Sequence, residues 1–112
     1  MGFFKADELV RKDVLPGIRV GSVHLADLML THFTFKAGAV VPMHSHPHQQ
    51  ITFLVEGEME FTLEGDTRLI RAGEGCVVPP NTKHSVRALT EAAAIDCWHP
   101  IREDYIVSEA KP

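Results

Sequence analysis

Apolar and polar residues alternate in short runs along most of the chain. Glu58-Met59-Glu60-Phe61-Thr62-Leu63-Glu64 is the clearest case, with every second residue apolar. That period of two predicts a strand with one buried face. Further strand-like runs are expected at Ile18 to Val23, Leu28 to Phe35, Val40-Val41 leading into Met43 and His44, Gln50 to Val55, Arg68 to Ile70, Cys76 to Val78, His84 to Ala88 and Ala92 to Trp98. Between them stand Leu15-Pro16-Gly17, Glu56-Gly57, Gly65-Asp66, Gly73-Glu74-Gly75 and Pro79-Pro80-Asn81, each a turn signal. Short strands separated by turns every ~8–12 residues predict an all-β sandwich or barrel. Ala6 to Lys12 is expected to form one helical turn or a short helix, and the tail after Tyr105 a strand end that then frays.

One run bears on assembly. In Gln50-Ile51-Thr52-Phe53-Leu54-Val55, Gln50, Thr52 and Leu54 share one face, while Ile51, Phe53 and Val55 share the other. With the first face inside, the second is an apolar stripe that needs a cover. The cover is expected to be either the N-terminal strands of the same chain or a second copy, in a homodimer.

Length then limits the answer. The 112 residues fit one domain, 1–112, with a barrel core at about 18–106. The net charge of −4 is spread along the chain without a basic block, so nucleic acid is not expected as a partner. No apolar run approaches the ~18 residues of a membrane span. Charges run through Met1 to Asp13 where a secretory leader would need an apolar stretch. Met1-Gly2 is followed at position 6 by Ala6, not the Ser or Thr of a myristoylation signal. A cytoplasmic protein with Cys76 and Cys97 as reduced thiols is the expectation.

Chemistry enters with the seven histidines. His44 and His46 are two apart and, on a strand, share a face. Gln50 follows past Pro47, and His84 stands after the Pro79-Pro80-Asn81 turn. Imidazole is the commonest metal donor, and a nitrogen and oxygen set suits one divalent ion such as zinc, nickel, iron or manganese. Three or four protein ligands leave a position open for substrate. His24, His32 and His99 show no such pattern and are read as structural, and His48 as a residue of the pocket rim.

The arrangement Gly38, His44, His46, Gln50, Gly57, followed by Gly73, Pro79, Asn81 and His84, resembles the paired motifs of the cupin superfamily. That resemblance implies a double-stranded β-helix, or jelly-roll barrel, holding a metal on His44, His46, Gln50 and His84. Two positions depart from the common motif: Gln50 stands for Glu, and Asn81 for Gly. Asn tolerates the left-handed turn conformation. Gln50 removes a negative charge beside the ion, which favours Lewis-acid chemistry or an anionic substrate.

Within the superfamily, His44-Ser45-His46-Pro47-His48-Gln49-Gln50-Ile51-Thr52, with Glu56-Gly57-Glu58 after it, resembles the pectin-degradation cupins known as KdgF. Gln is the usual fourth ligand there. The same family carries an Asp, an aromatic two residues on and an Arg four beyond, matched by Asp96, Trp98 and Arg102. The resemblance implies opening of 4,5-unsaturated uronates to linear keto-deoxyuronates. Asp96 would act as acid and base, Arg102 would hold the carboxylate of this small anionic sugar or other small acid, and Trp98 would stack on the ring. Two other readings stay open: a small metal-dependent dioxygenase, and a cupin that binds a sugar or small acid without turning it over.

Overall fold

The alternation converts directly into strands with one buried face. The computed structural model describes residues 2–107. In chain order its strands are β1 (Lys12–Leu15), β2 (Ile18–His24), β3 (Met29–Phe35), β4 (Val40–His44), β5 (Gln49–Glu56), β6 (Glu58–Leu63), β7 (Asp66–Arg71), β8 (Gly75–Val78), β9 (His84–Ala88) and β10 (Ala92–His99). Short 3₁₀ turns stand at Ala6–Glu8 and Glu103–Tyr105. One sheet has the order β1-β2-β3-β10-β5-β8 and the other β4-β9-β6-β7. Every pairing is antiparallel. The two sheets enclose the core of a jelly-roll barrel, so the expected all-β, single-domain class holds. Among the described residues, no helix is long and apolar enough to cross a membrane.

The core comes from the inward rows. Val20 and Leu54 are fully buried, Met59 is 1% exposed, and Phe61 and Ala94 lie beside them. Burial of each such apolar side chain stabilises the fold by about 1.5–3 kcal/mol before the entropy of ordering is counted. In β5, Gln50, Thr52 and Leu54 are buried and their neighbours exposed, as the period of two requires.

At the ends of the chain one expectation holds in its shorter form and one fails. Of the two readings of Ala6 to Lys12 the single turn holds, at Ala6–Glu8, and Lys12–Leu15 beyond it pairs with β2 across Pro16-Gly17 as a hairpin. Gly17 takes φ +77° in that turn. The strand end expected beyond Tyr105 is absent among the described residues. Glu103–Tyr105 is a 3₁₀ turn, held where the Ser22 hydroxyl donates to the Tyr105 carbonyl at 2.7 Å and where the Tyr105 ring meets Phe33 edge-on at 5.3 Å. Ile106 and Val107 pack against the core without pairing. The rest of that tail, 108–112, lies outside the described residues.

The outer stripe of β5 finds no cover within the described residues. Ile51, Phe53 and Val55 are 53%, 49% and 43% exposed. The N-terminal segment crosses a different part of the same sheet. Arg11 donates to the His32 carbonyl at 2.9 Å and to His32 Nδ1 at 2.8 Å, and Leu9 packs over Gly21.

Gly57, between β5 and β6, has φ +88°, and a Cβ there would fall onto the Glu91 carbonyl oxygen and within 2.8 Å of Ala92 Cα. Gly73 has φ +92° but open space where its Cβ would lie. Both alanine substitutions are strained, and only the first also collides with backbone. Gly57→Ala is therefore expected to cost clearly more than the ~1 kcal/mol of a misplaced Cβ. Urea denaturation of Gly57→Ala beside Gly73→Ala checks this, with the larger loss expected at Gly57.

Candidate metal centre and cavity

His44 closes β4 and His84 opens β9, and the two are direct cross-strand partners. His46 lies in the loop after β4. The Asn81 N–H donates to the His46 carbonyl at 2.7 Å, so the turn before His84 and the loop carrying His46 are joined. Asn81 sits at φ +62°, the left-handed conformation that its side chain tolerates. One ring nitrogen from each of His44, His46 and His84 lies within 4.8 Å of the others.

Backbone carbonyls set the orientation of these rings. Nδ1 of His44 faces the Pro42 carbonyl at 2.8 Å, Nδ1 of His46 faces that of His48 at 3.2 Å, and Nδ1 of His84 faces that of Thr82 at 2.8 Å. A carbonyl only accepts, so each Nδ1 carries the proton and each Nε2 keeps its lone pair. This is the outer support by which proteins orient metal-ligating imidazoles. Burial lowers the pKa of His46, and lowers that of His84 to about 4, helped by the neighbouring His44, His46 and Arg102. The His84 ring is neutral at neutral pH, the form a metal needs.

Gln50 adds an oxygen. Its amide nitrogen donates to Thr52 Oγ1 at 2.9 Å and to Asp96 Oδ2 at 3.2 Å, which fixes the amide the right way round. Gln50 Oε1 then faces His46 Nε2 at 2.9 Å. Two lone pairs oppose each other there unless a cation stands beside both. Two donors each ~2.1 Å from one ion and at right angles would be ~3 Å apart. His84 Nε2 is buried without a hydrogen-bond partner. The opposed pair and the unpartnered nitrogen both fit a divalent ion.

Below these donors, Asp96 on β10 pairs with Thr52 on one side and Thr31 on the other. It is 6% exposed, and its Oδ1 has no partner. Burial pushes its carboxyl up to about 7, against the opposing pull of the Thr52 hydroxyl, the Arg102 charge and the Gln50 amide. Near neutral pH this group can both give and take a proton, and a cation nearby would favour its ionised form.

Arg102 lies beyond the end of β10. It makes two hydrogen bonds to Asp104, at 3.0 and 2.8 Å, and its guanidinium sits over the Trp98 and Tyr105 rings at 4.9 and 4.2 Å. Its side chain is 13% exposed, and Nη1 is buried without a partner. Trp98 is almost fully buried and donates from Nε1 to Thr31 Oγ1 at 2.9 Å, so its ring is packed as well as facing the site. His48 meets His46 and Trp98 edge-on.

A cavity of about 530 Å³ reaches this group. Its walls include His44, Gln50, His84, Asp96, Trp98 and Arg102, so it gathers six of the seven residues expected from the sequence. His46 is not one of the lining residues, and its Nε2 is 2.9 Å from Gln50 Oε1. Thr52, Lys12 and Tyr105 also line the cavity without having been singled out. Only Thr52 carried a signal, because it lies two residues beyond Gln50 on the same inward face.

Residues 31–98 match the family described as Cupin domain, and the chain belongs to that family. It is 30% identical over 107 residues to the pectin degradation protein KdgF of Dickeya dadantii, covering 93% of this chain and 97% of that protein. The solved structure of KdgF from a Halomonas species superposes with a TM-score of 0.89 at 37% identity, covering 95% of this chain and 99% of that one. An RmlC-like cupin from Shewanella frigidimarina also superposes at 0.89, with 28% identity over 95% and 96%.

Addition of zinc or nickel to chelator-treated protein is expected to raise its thermal midpoint, by the equivalent of about 2.7 kcal/mol at a hundredfold excess over Kd. His84→Ala is expected to lose most of that shift. Differential scanning calorimetry with and without chelator reads both.

Proposed function

We propose that this protein opens the ring of 4,5-unsaturated uronates, the products of pectin and alginate lyases, to give linear keto-deoxyuronates. The observation that carries the reading is the direct link from Asp96 through the Gln50 amide to His46, inside a cavity that also holds Arg102. Similarity to KdgF over nearly the whole chain supports the same substrate class.

His44, His46, Gln50 and His84 would hold the ion, all as neutral ligands. When bound, the ion supplies Lewis acidity toward a substrate oxygen. Arg102 Nη1, free of other partners, receives the uronate carboxylate, while Asp104 and the two aromatic rings hold the guanidinium flat. Opening requires the anomeric hydroxyl to lose its proton as the bond between the anomeric carbon and the ring oxygen breaks. This leaves an aldehyde and an enol. The enol then gains a proton on carbon and loses one from oxygen to become a ketone, so no atom is gained or lost overall. Asp96, whose burial raises its pKa against the pull of Thr52, Arg102 and Gln50, takes one proton and returns another.

The first test follows the loss of ultraviolet absorbance of 4,5-unsaturated galacturonate, corrected for spontaneous opening. Wild type loaded with metal is expected to accelerate it. Asp96→Asn is expected to lower kcat by ~10²–10⁴-fold, and Arg102→Met to raise KM more than it lowers kcat. No acceleration by the metal-loaded wild type would sink the reading, and oxygen uptake in the same cell would point to an oxygenase instead.

The exposed stripe supports pairing of two copies of the chain. Ile51, Phe53 and Val55, with Val77 beside Ile51, form an outward patch without a formal charge. On a chain of net charge −4, such a patch lets identical surfaces meet without like-charge repulsion. Light scattering after gel filtration is expected to give twice 12.4 kDa for wild type, and the single-chain mass for Phe53→Glu. A wild type of single-chain mass would refute the pairing.

A further inference from the structure

The cavity is larger and more apolar than a uronate alone needs. At a water's share of ~30 Å³ for each non-hydrogen atom, the dozen or so such atoms of a hexuronate would fill about two-thirds of its 530 Å³. The remaining space has a different chemistry. Inward from His84, the next residue on the same face of β9 is Val86; inward from Asp96 on β10 comes Ala94. Phe33, Phe35, Met59 and Phe61 complete this inner end of the cavity wall. Phe33, Phe35 and Val86 lie on inward faces yet keep 7%, 8% and 9% exposure, whereas Val20 and Leu54 keep none. The first three border open space and are themselves apolar, while Lys12, level with Phe33 across β2, lines the same cavity from the edge strand. A sugar hydroxyl placed against Phe33, Phe35 and Val86 would lose hydrogen bonds to water that none of these side chains can replace. Ala94 also lines the cavity, is itself 1% exposed, and lies level with the far larger Leu54 and Phe33 on the neighbouring strands.

We propose that the cavity is a two-part site whose inner chamber takes the apolar arm of a small carboxylic acid, an aryl- or alkyl-substituted one, while the carboxylate is held at the polar end by Arg102 and the metal-ligating group. The spacing is right for this. Val86 is two residues from His84, about 7 Å along an extended strand, which is close to the reach from a carboxylate to the phenyl ring of 3-phenylpropanoate. The inference rests on the polar end of the uronate reading as an anion site, and not on the ring-opening reaction.

Calorimetric titration of the metal-loaded protein with 3-phenylpropanoate and with propanoate tests it. The phenyl acid is expected to bind at least tenfold tighter. Ala94→Leu fills the chamber and is expected to bring the ratio close to one while propanoate affinity and bound metal stay unchanged. Should Ala94→Leu fail to give a native circular dichroism spectrum, Ala94→Val provides a smaller filling and is expected to reduce the ratio in part. Benzene alone is expected to raise the thermal midpoint of wild type and not of the filled variant. A ratio near one in wild type, or an undiminished ratio in a folded filled variant, overturns the proposal. Uronate turnover on the same samples separates the two readings. Turnover with a ratio of one overturns only the chamber, and the ratio without turnover overturns only the ring opening.

Discussion

The amide of Gln50 cannot be turned round, and the site depends on that. Its nitrogen end is committed to Thr52 and Asp96, so its oxygen end must face His46. Reversal would set the nitrogen against His46 and place the amide oxygen against the Asp96 carboxylate and the Thr52 hydroxyl. A glutamate in the same place would have no such polarity. It would meet Asp96 as a second acid, and one of the two would have to keep its proton. The neutral amide therefore resolves two demands at once: an oxygen donor toward the histidines and a hydrogen-bond donor toward a buried acid. The same chain explains why Asp96 stays in a place where a carboxylate is costly. One oxygen is paired, the other is free, and desolvation keeps the proton within easy reach.

Electrostatics at the far side of the cavity follow a similar logic. Arg102 is held by Asp104 and by two ring faces, yet one of its nitrogens stays unpaired. Asp104 lies largely at the surface, where an isolated ion pair contributes little stability. Its value here is orientation, since a guanidinium fixed in plane and position presents its remaining donors in a set direction. Trp98 acts in the same way through packing. It is anchored to Thr31 and buried, which makes it a floor for the guanidinium as much as a wall of the cavity.

Much of this was legible in the sequence because it is local. Period-two alternation marked nearly every strand, and His44, His46, Gln50 and His84 were selected by spacing and then found around one point. Less of the site was visible where it depends on pairing between distant strands. Thr52 meets Asp96, and Trp98 meets Gln50, only through the register of β5 against β10. No spacing along the chain encodes that register. Lys12, the last residue of the run read as helical, enters the cavity wall because it opens the edge strand of a hairpin and pairs with β2. The N-terminal segment, one of the two covers expected for the outer stripe of β5, does not lie over it among the described residues, because Arg11 carries that segment to His32 and Gly21 rather than to Ile51, Phe53 and Val55.

The single hydrogen bond from Asn81 to the His46 carbonyl ties together donors that lie far apart along the chain. The loop that carries His46 and the turn that precedes His84 are thereby set relative to each other during folding. The conformational entropy of arranging the donors is spent then, and not again each time a ligand arrives. A centre prepared in this way can meet its ligands as a rigid template, with little left to order at the moment of binding.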